Sequence, residues 1–267
     1  MRQCGQLTLR ADSLKMNTRM KIAADLHIHS TLSPCASLEM SPAAIVRRAK
    51  ELALDLIAVT DHNSMENSFV TASLGVKMGL RVLYGLEAQT SEDVHCLCLF
   101  EDLGQAAAFN VRIYNHLPAV RNEPEYFGDQ VVVDEQDNIV RHEDRLLLNA
   151  LKLTIPELLE LVREHGGAVI PAHVESASFG LLVNMGMVPR ELHDSVLEIS
   201  HAAGSEDVRR SYPELNRFSL ITNSDAHFLK DIGCAYTVFQ ATAPSLPALI
   251  KAARAGAFDR VYRKNHG

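Results

Sequence analysis

The residues of this chain best suited to chemistry are histidines and carboxylates that recur in short groups. His27 and His29 flank one residue in Asp25-Leu26-His27-Ile28-His29. Asp61 adjoins His62, Glu87 follows Gly85-Leu86, His95 lies in the run 94–100, His173 follows Pro171-Ala172, and Asp225 and His227 flank Ala226. Imidazole and carboxylate are ligands that suit zinc, manganese and iron. Residues i and i+2 of a strand point to one side. His27 and His29 can therefore hold one cation together, and Asp225 and His227 can address one pocket if a strand runs through them. Each group alone is weak: a lone strand histidine is usually structural, Asp61-His62 reads as a turn, and Asp225-Ala226-His227 reads as a helix cap. Their recurrence at the ends of successive apolar runs points to a shared cation site.

Those runs must bring the groups together. They are 20–29, 56–60, 81–84 leading into Gly85-Leu86-Glu87, 94–100, 168–170, 195–200 and 219–222. Helical stretches separate them. Ser41-Pro42 looks like an N-cap with proline at the first helical position. A helix from about Asn67 should stop near Gly79, another runs from Ala106 to Tyr114, and Thr154 with Glu157 forms a capping-box signature before Gly166-Gly167. A last run, 236–239, precedes a C-terminal helix. Alternating β and α elements imply a parallel sheet with right-handed crossovers. Seven runs suit a closed or nearly closed α/β barrel, whose C-terminal strand ends converge on one face; an open doubly wound sheet is the alternative. Residues 1–19 are polar and aperiodic, a tail or an added strand, with Met20 an alternative start. Residues 20–267 read as one domain. Residues 115–150 break the rhythm as an insertion, with a hairpin at 131–140.

Composition bounds the partners. The chain has 267 residues and a formal charge of −7. It has no basic run, so avid binding of long nucleic acid is not expected, while a short nucleotide remains open. Five cysteines without a C-x-x-C pair read as a reducing compartment. No apolar run reaches transmembrane length and the N-terminus lacks a signal-peptide core, so the expected location is cytoplasmic. No G-x-S-x-G elbow or P-loop is present.

Taken in order, Asp25-Leu26-His27-Ile28-His29-Ser30, Thr60-Asp61-His62-Asn63, Gly85-Leu86-Glu87, Pro171-Ala172-His173 and Ser224-Asp225-Ala226-His227 resemble the motifs of the polymerase and histidinol phosphatase (PHP) superfamily. The resemblance runs from about residue 21 to 240. It implies a distorted seven-stranded (β/α) barrel, TIM-like, holding two or three divalent cations. It implies that His27, His29, Glu87 and Asp225 bind the first, that Glu87 bridges to a second bound by His95 and His173, and that His62 and His227 bind a third. Where some relatives place a third-site histidine, this chain has Cys35, a thiolate ligand or a small loop thiol.

The function this implies is hydrolysis of a small phosphomonoester, nucleotide or oligonucleotide phosphoester by a metal-bridged hydroxide, with Glu87, Asp225 and His227 carrying catalysis. An amidohydrolase-like C–N hydrolase is an alternative, but no lysine ends the runs where a carboxylated lysine would stand. A non-catalytic, metal-binding regulatory protein is a second alternative. Asp25 and Asp61 fit roles in orienting ligand histidines. Glu198 ends a run but is not carried over as a ligand. His201, Arg209, Arg210 and Lys230 are candidate phosphate contacts. The alternation of His95, Leu97 and Leu99 against Cys96, Cys98 and Phe100 assigns the two cysteines to the core.

Overall fold

A computed structural model describes residues 18–263. Most of the expected N-terminal tail or strand at 1–19 lies outside the described residues. The elements begin β1 (Met20–Ile28), α1 (Pro42–Glu51), β2 (Leu56–Val59), α2 (Glu66–Met78), β3 (Arg81–Gln89), β4 (His95–Phe100) and α3 (Leu103–His116). They continue α4 (Pro124–Phe127), β5 (Val131–Val133), β6 (Ile139–His142), α5 (Ile155–Glu164), β7 (Ala168–Pro171), α6 (Leu181–Met185), β8 (Val196–Ile199) and α7 (Ser205–Ser211). β9 (Ser219–Thr222), β10 (Ala235–Ala241), α8 (Leu246–Arg254) and β11 (Phe258–Tyr262) complete the order.

The expected helix ends are where their chemistry puts them. The Ser41 side chain accepts from the Ala44 amide with Pro42 behind it. Thr154 and Glu157 cap each other reciprocally. Gly79 closes α2 in the left-handed conformation.

The architecture is α/β, with a curled sheet in the order β11-β10-β1-β2-β3-β4-β7. β1, β2 and β3 are parallel, as expected from their helical crossovers. β4 is antiparallel to both β3 and β7, which corrects the expectation of a wholly parallel sheet. The reason is length: only residues 90–94 separate β3 from β4, whereas a parallel crossover needs about a dozen. The chain reverses through a turn in which Thr90 and Val94 pair and Asp93 takes a positive φ of 58°. β10 and β11 are antiparallel additions on the other side of β1, and β11 was not anticipated.

The seven strands of this sheet are therefore not the seven expected runs. β8 and β9 form their own parallel ladder. It is stitched to the sheet near β7 and at β10: the Val174 amide donates to the Glu198 carbonyl at 2.9 Å and the Thr237 hydroxyl donates to the Thr222 carbonyl at 2.8 Å, while Ile28 of β1 bridges to Ala226 in the loop after β9.

Alternate residues of the strands build the interior. Ile22, Ala24 and Leu26 of β1 pack with Leu56, Ala58, Leu83, Leu97, Leu99 and Ile170 in one inner cluster. Ile28 instead joins an outer layer with Ile57, Val59 and α1. Leu26 and Ile28 are two apart yet face opposite ways, because the β1–β2 register shifts between Asp25 and Ile28. Such a bulge re-aims side chains, and here it turns His27 and His29 toward the interior. Cys96, Cys98 and Phe100 pack against Phe109 of α3 on the far face of β4, as their alternation required.

The hairpin expected at 131–140 is β5–β6. β5 is buried and β6 exposed. β5 docks on the loop after β1, where the Val131 amide donates to the Thr31 carbonyl at 2.8 Å. Gly128, at φ 97°, lies so close to that loop that a Cβ would sit 2.2 Å from the Pro34 carbonyl oxygen.

Candidate metal centre

The β1 histidines meet where β1, β3 and the loop after β9 converge. His27 Nε2 lies 3.2 Å from His29 Nε2. It also lies 3.3 Å from Glu87 Oε1 and 3.3 Å from Asp225 Oδ1. His29 Nε2 lies 3.3 Å from the same Asp225 oxygen and 3.5 Å from Glu87 Oε2. Ligands bound tetrahedrally at ~2.0–2.2 Å are about 3.4 Å apart, and His27, His29 and Asp225 each offer a ligand atom within 4.8 Å of the others, so these three fit around one cation with Glu87 beside them.

The hydrogen bonds behind the rings decide which nitrogen faces inward. The Glu198 carboxylate lies 3.1 and 3.2 Å from His27 Nδ1, which must donate to it. The Ser33 hydroxyl donates to Asp61 at 2.7 Å, leaving its oxygen to accept from His29 Nδ1 at 2.9 Å. Both Nδ1 hydrogens are committed, so each ring turns its Nε2 toward the other. That contact is unfavourable without a proton or a cation between them.

Two further groups adjoin. Glu87 Oε1 is 3.0 Å from His95 Nδ1 and 3.1 Å from His173 Nε2. The opposite nitrogen of each ring is buried without a hydrogen-bond partner. On the other side, His62 Nδ1 lies 3.1 Å from Glu87 Oε2 and its Nε2 lies 3.3 Å from Cys35 Sγ. His29, Cys35, His62 and His227 each offer a ligand atom within 4.8 Å of the others, and the same holds for His62, Glu87 and His95. Glu87 thus stands between all the groups, fully buried in mid-sheet.

Local structure explains the placements. His95 is the first residue of β4. Because β4 runs antiparallel, its start lies beside the last residues of β3, with His95 opposite Gln89. The expectation that His95 sits inside a strand, away from a strand end, is thereby corrected. The strand expected to carry Asp225 and His227 stops at Thr222. Asp225 has φ 50°, a conformation a non-glycine residue keeps only when its surroundings hold it. They do: the Asn223 side chain accepts from the Leu26 amide at 2.8 Å, and Asp25 accepts from the Ser224 and Gly233 amides at 3.0 Å each. Asp25 therefore positions the Asp225 loop rather than a histidine. Asp61 reaches His29 only through Ser33. Ser33 and Glu198 are the positioning residues that the sequence reading missed. For Glu198 the available signal was its place at the end of an apolar run.

Charge pairing outweighs burial at Glu87 and His27, whereas burial wins at His29 and His95 and lowers both. Burial would raise the Glu87 carboxyl, but the charges of His95 and His27 and hydrogen bonds from His173 and His27 hold it well below its usual value. Burial would lower His27, yet Asp225, Glu198 and Glu87 hold it well above its usual value. Burial would raise the Cys35 thiol, but hydrogen bonds from His227 and His62 bring it down to about 7. In contrast, burial drives the Cys98 thiol well up. Cys35 therefore has thiolate character and the β4 cysteines do not.

The ligand candidates other than His27 line one cavity of about 410 Å³ that also includes Gln89, Leu148, Phe179, Ser200 and His201. Among the described residues, no lysine or arginine lines it. Of the candidate phosphate contacts only His201 reaches it. Arg209 instead donates to the Leu215 and Phe218 carbonyls, Arg210 pairs with Asp207 on the surface, and Lys230 lies over the Phe228 ring. The fold and the site carry the ordered motifs together, and family models agree. The PHP domain matches residues 25–177 and the PHP-associated region matches 210–258.

The chain belongs to the PHP family. Among its relatives is the PolC-type DNA polymerase III of Oceanobacillus iheyensis, 36% identical over 73 residues, which are 27% of this chain and 5% of that protein. Among solved structures, the lesion-specific endonuclease EndoQ of Pyrococcus furiosus superposes with a TM-score of 0.66 at 20% identity, over 90% of this chain and 58% of that one. A two-domain protein of Bacteroides vulgatus, described as containing a predicted PHP-like metal-dependent phosphoesterase, superposes with a TM-score of 0.56 at 15% identity, over 97% of this chain and 70% of that one. The chain thus spans a small fraction of PolC and little over half of EndoQ. Among the described residues of this PHP-family chain, no helix is long and apolar enough to cross a membrane.

Proposed function

We propose that this PHP-family chain hydrolyses a small phosphomonoester or short nucleotide phosphoester, using two or three divalent cations held by the clustered side chains. The carrying observation is the 3.2 Å approach of the His27 and His29 Nε2 atoms beside Asp225 and Glu87, a contact that needs a proton or a cation between them. In this reading His27, His29, Glu87 and Asp225 hold one cation, and Glu87, His95 and His173 a second. Cys35, His62 and His227 hold a third. Zinc, manganese and iron suit these donors, and the thiolate favours the softer cations at the third position. Once bound, such cations acidify a water and neutralise charge on phosphoryl oxygens.

The chain's own residues do the rest. Glu198, Ser33 and Asp61 fix the inward-facing nitrogens, and Asp25 and Asn223 fix the Asp225 loop. With no lysine or arginine among the described residues that line the cavity, the substrate's negative charge falls to cations and imidazoles. A bond forms from water oxygen to phosphorus as the bond from phosphorus to the alcohol oxygen breaks. His201, exposed at the cavity wall, is placed to return a proton to the departing alkoxide. The reading includes a distorted (β/α) barrel, with β8 and β9 standing between β7 and β10. EndoQ, an endonuclease by name, supports phosphoester chemistry on this fold. The test is hydrolysis of simple phosphomonoesters by protein loaded with manganese, zinc or iron, beside Glu87→Gln. Turnover that is lost on chelation and in the variant supports the reading; turnover that survives both contradicts it.

A further inference from the structure

The cavity contains one large aromatic side chain, and its backbone is strained. Phe179 sits at φ 58°, a left-handed conformation rare for a bulky residue and kept only where the surroundings enforce it. The enforcement is visible. The Phe179 carbonyl accepts from the His95 amide at 3.1 Å. The next residue, Gly180, is pressed so closely on the preceding turn that a Cβ would lie 2.1 Å from the Ser176 carbonyl oxygen. Held this way, the Phe179 ring stacks flat on the His95 imidazole, with centroids 4.3 Å apart and planes 1° from parallel. One face of the ring is thus covered, yet Phe179 is 39% exposed and lines the cavity. The ring shares the cavity lining with the cation ligands and with Leu148, a second apolar side chain.

Core packing does not account for a half-exposed ring in a strained loop, because an apolar side chain gains from burial and this one is left wet. A fixed flat ring beside a polar centre is a stacking surface. Among the described residues the lining has no lysine or arginine, which leaves the cations and imidazoles to take the phosphate and the ring to take the remainder of the ligand.

We propose that Phe179 is the platform of a subsite for a flat aromatic or heteroaromatic ring on the alcohol side of the phosphoester, making small aryl or nucleoside monophosphates the preferred substrates. This inference rests on the phosphoester reading above and names its substrate class. Phe179 determines specificity and takes no part in bond breaking.

The test compares phenyl phosphate and adenosine monophosphate with glycerol phosphate, as kcat/KM ratios, in cation-loaded protein. Wild type, Phe179→Gly and Phe179→Tyr are measured. Glycine suits the positive φ, so its loss of the ring is not confounded by added strain. The ring-to-glycerol ratio should fall roughly tenfold in Phe179→Gly, through KM, and be retained in Phe179→Tyr. A ratio near one in wild type, or unchanged in Phe179→Gly, overturns the subsite while leaving the hydrolase reading intact. If no phosphoester turns over, the hydrolase reading fails. Calorimetric binding of adenosine monophosphate then decides the subsite: weaker binding by Phe179→Gly than by wild type supports it, and equal or absent binding overturns it.

Discussion

Two halves of the site are built differently. His27, Glu87 and His95 stand on strands, are buried, and touch one another through Glu87. Cys35 and His227 stand on loops, Cys35 exposed and His227 only partly covered, while the buried His62 between them and Glu87 is held by a single β-bridge to Glu87. The strand half is fixed by the sheet itself. The loop half depends on what leans against it, including Gly128 of the 115–150 segment. The difference implies a tight, structural cation position beside a more exchangeable one. Substitutions on strands should therefore disable the whole site, and those on loops should disable one part.

The largest effect is expected from Glu87→Gln. It removes the charge that every group shares: His95 and His173 lose their carboxylate partner, while His27 keeps Glu198 and Asp225. Elemental analysis should show at least two cations lost, with activity. If only one is lost, the strand half is not a unit. Next is Glu198→Gln, which touches no proposed cation but frees the His27 ring. A fall of about 10–100-fold in cation affinity or activity is expected, measured by competition with a chelator. An unchanged affinity would deny Glu198 its positioning role.

A smaller effect concerns the loop half alone. In cation-free protein, iodoacetamide should label Cys35 with a midpoint near pH 7, because His227 and His62 lower its pKa from the usual 9.0. Labelling therefore rises as pH rises through about 7 and is lost below it. Cys96 and Cys98, buried and with raised pKa, should stay unlabelled. Adding zinc should protect Cys35; no protection would remove it from the cation site. The smallest change is Gly128→Ala, which presses on Pro34 and should cost about 1–3 kcal/mol of stability. It should weaken only the loop-bound cation, as read by thermal melting and metal titration. Equal weakening of both positions would erase the distinction.

How far the sequence revealed this depends on the signal involved. Local chemistry was legible: the Ser41-Pro42 cap, the Thr154–Glu157 box, the β5–β6 hairpin and the opposite faces of β4 all follow from side-chain type and period. The direction of β4 was legible only from the short span 90–94, and reading run and helix in alternation passed over it. β11 carries Asp259 and Arg260 and lacks an apolar period, so its pairing with β10 is a tertiary matter. The bulge that turns His27 and His29 inward leaves no local mark. The residues grouped around Glu87 were legible as types at run ends, which is why all of them converge. Their positioning partners were not, because Glu198 meets His27 across a large sequence separation and Ser33 acts through a hydroxyl in an ordinary loop. Arg209 shows the converse: an arginine near a site is as easily bound to backbone carbonyls as to a phosphate.

The most direct test of the account is anomalous scattering from crystals grown with manganese or zinc, recorded above and below the metal edge. The account predicts a peak about equally distant from His27 Nε2, His29 Nε2 and an Asp225 oxygen, and a second between Glu87, His95 and His173. Crystals that show no peak within bonding distance of His27 and His29, at saturating metal, would contradict it.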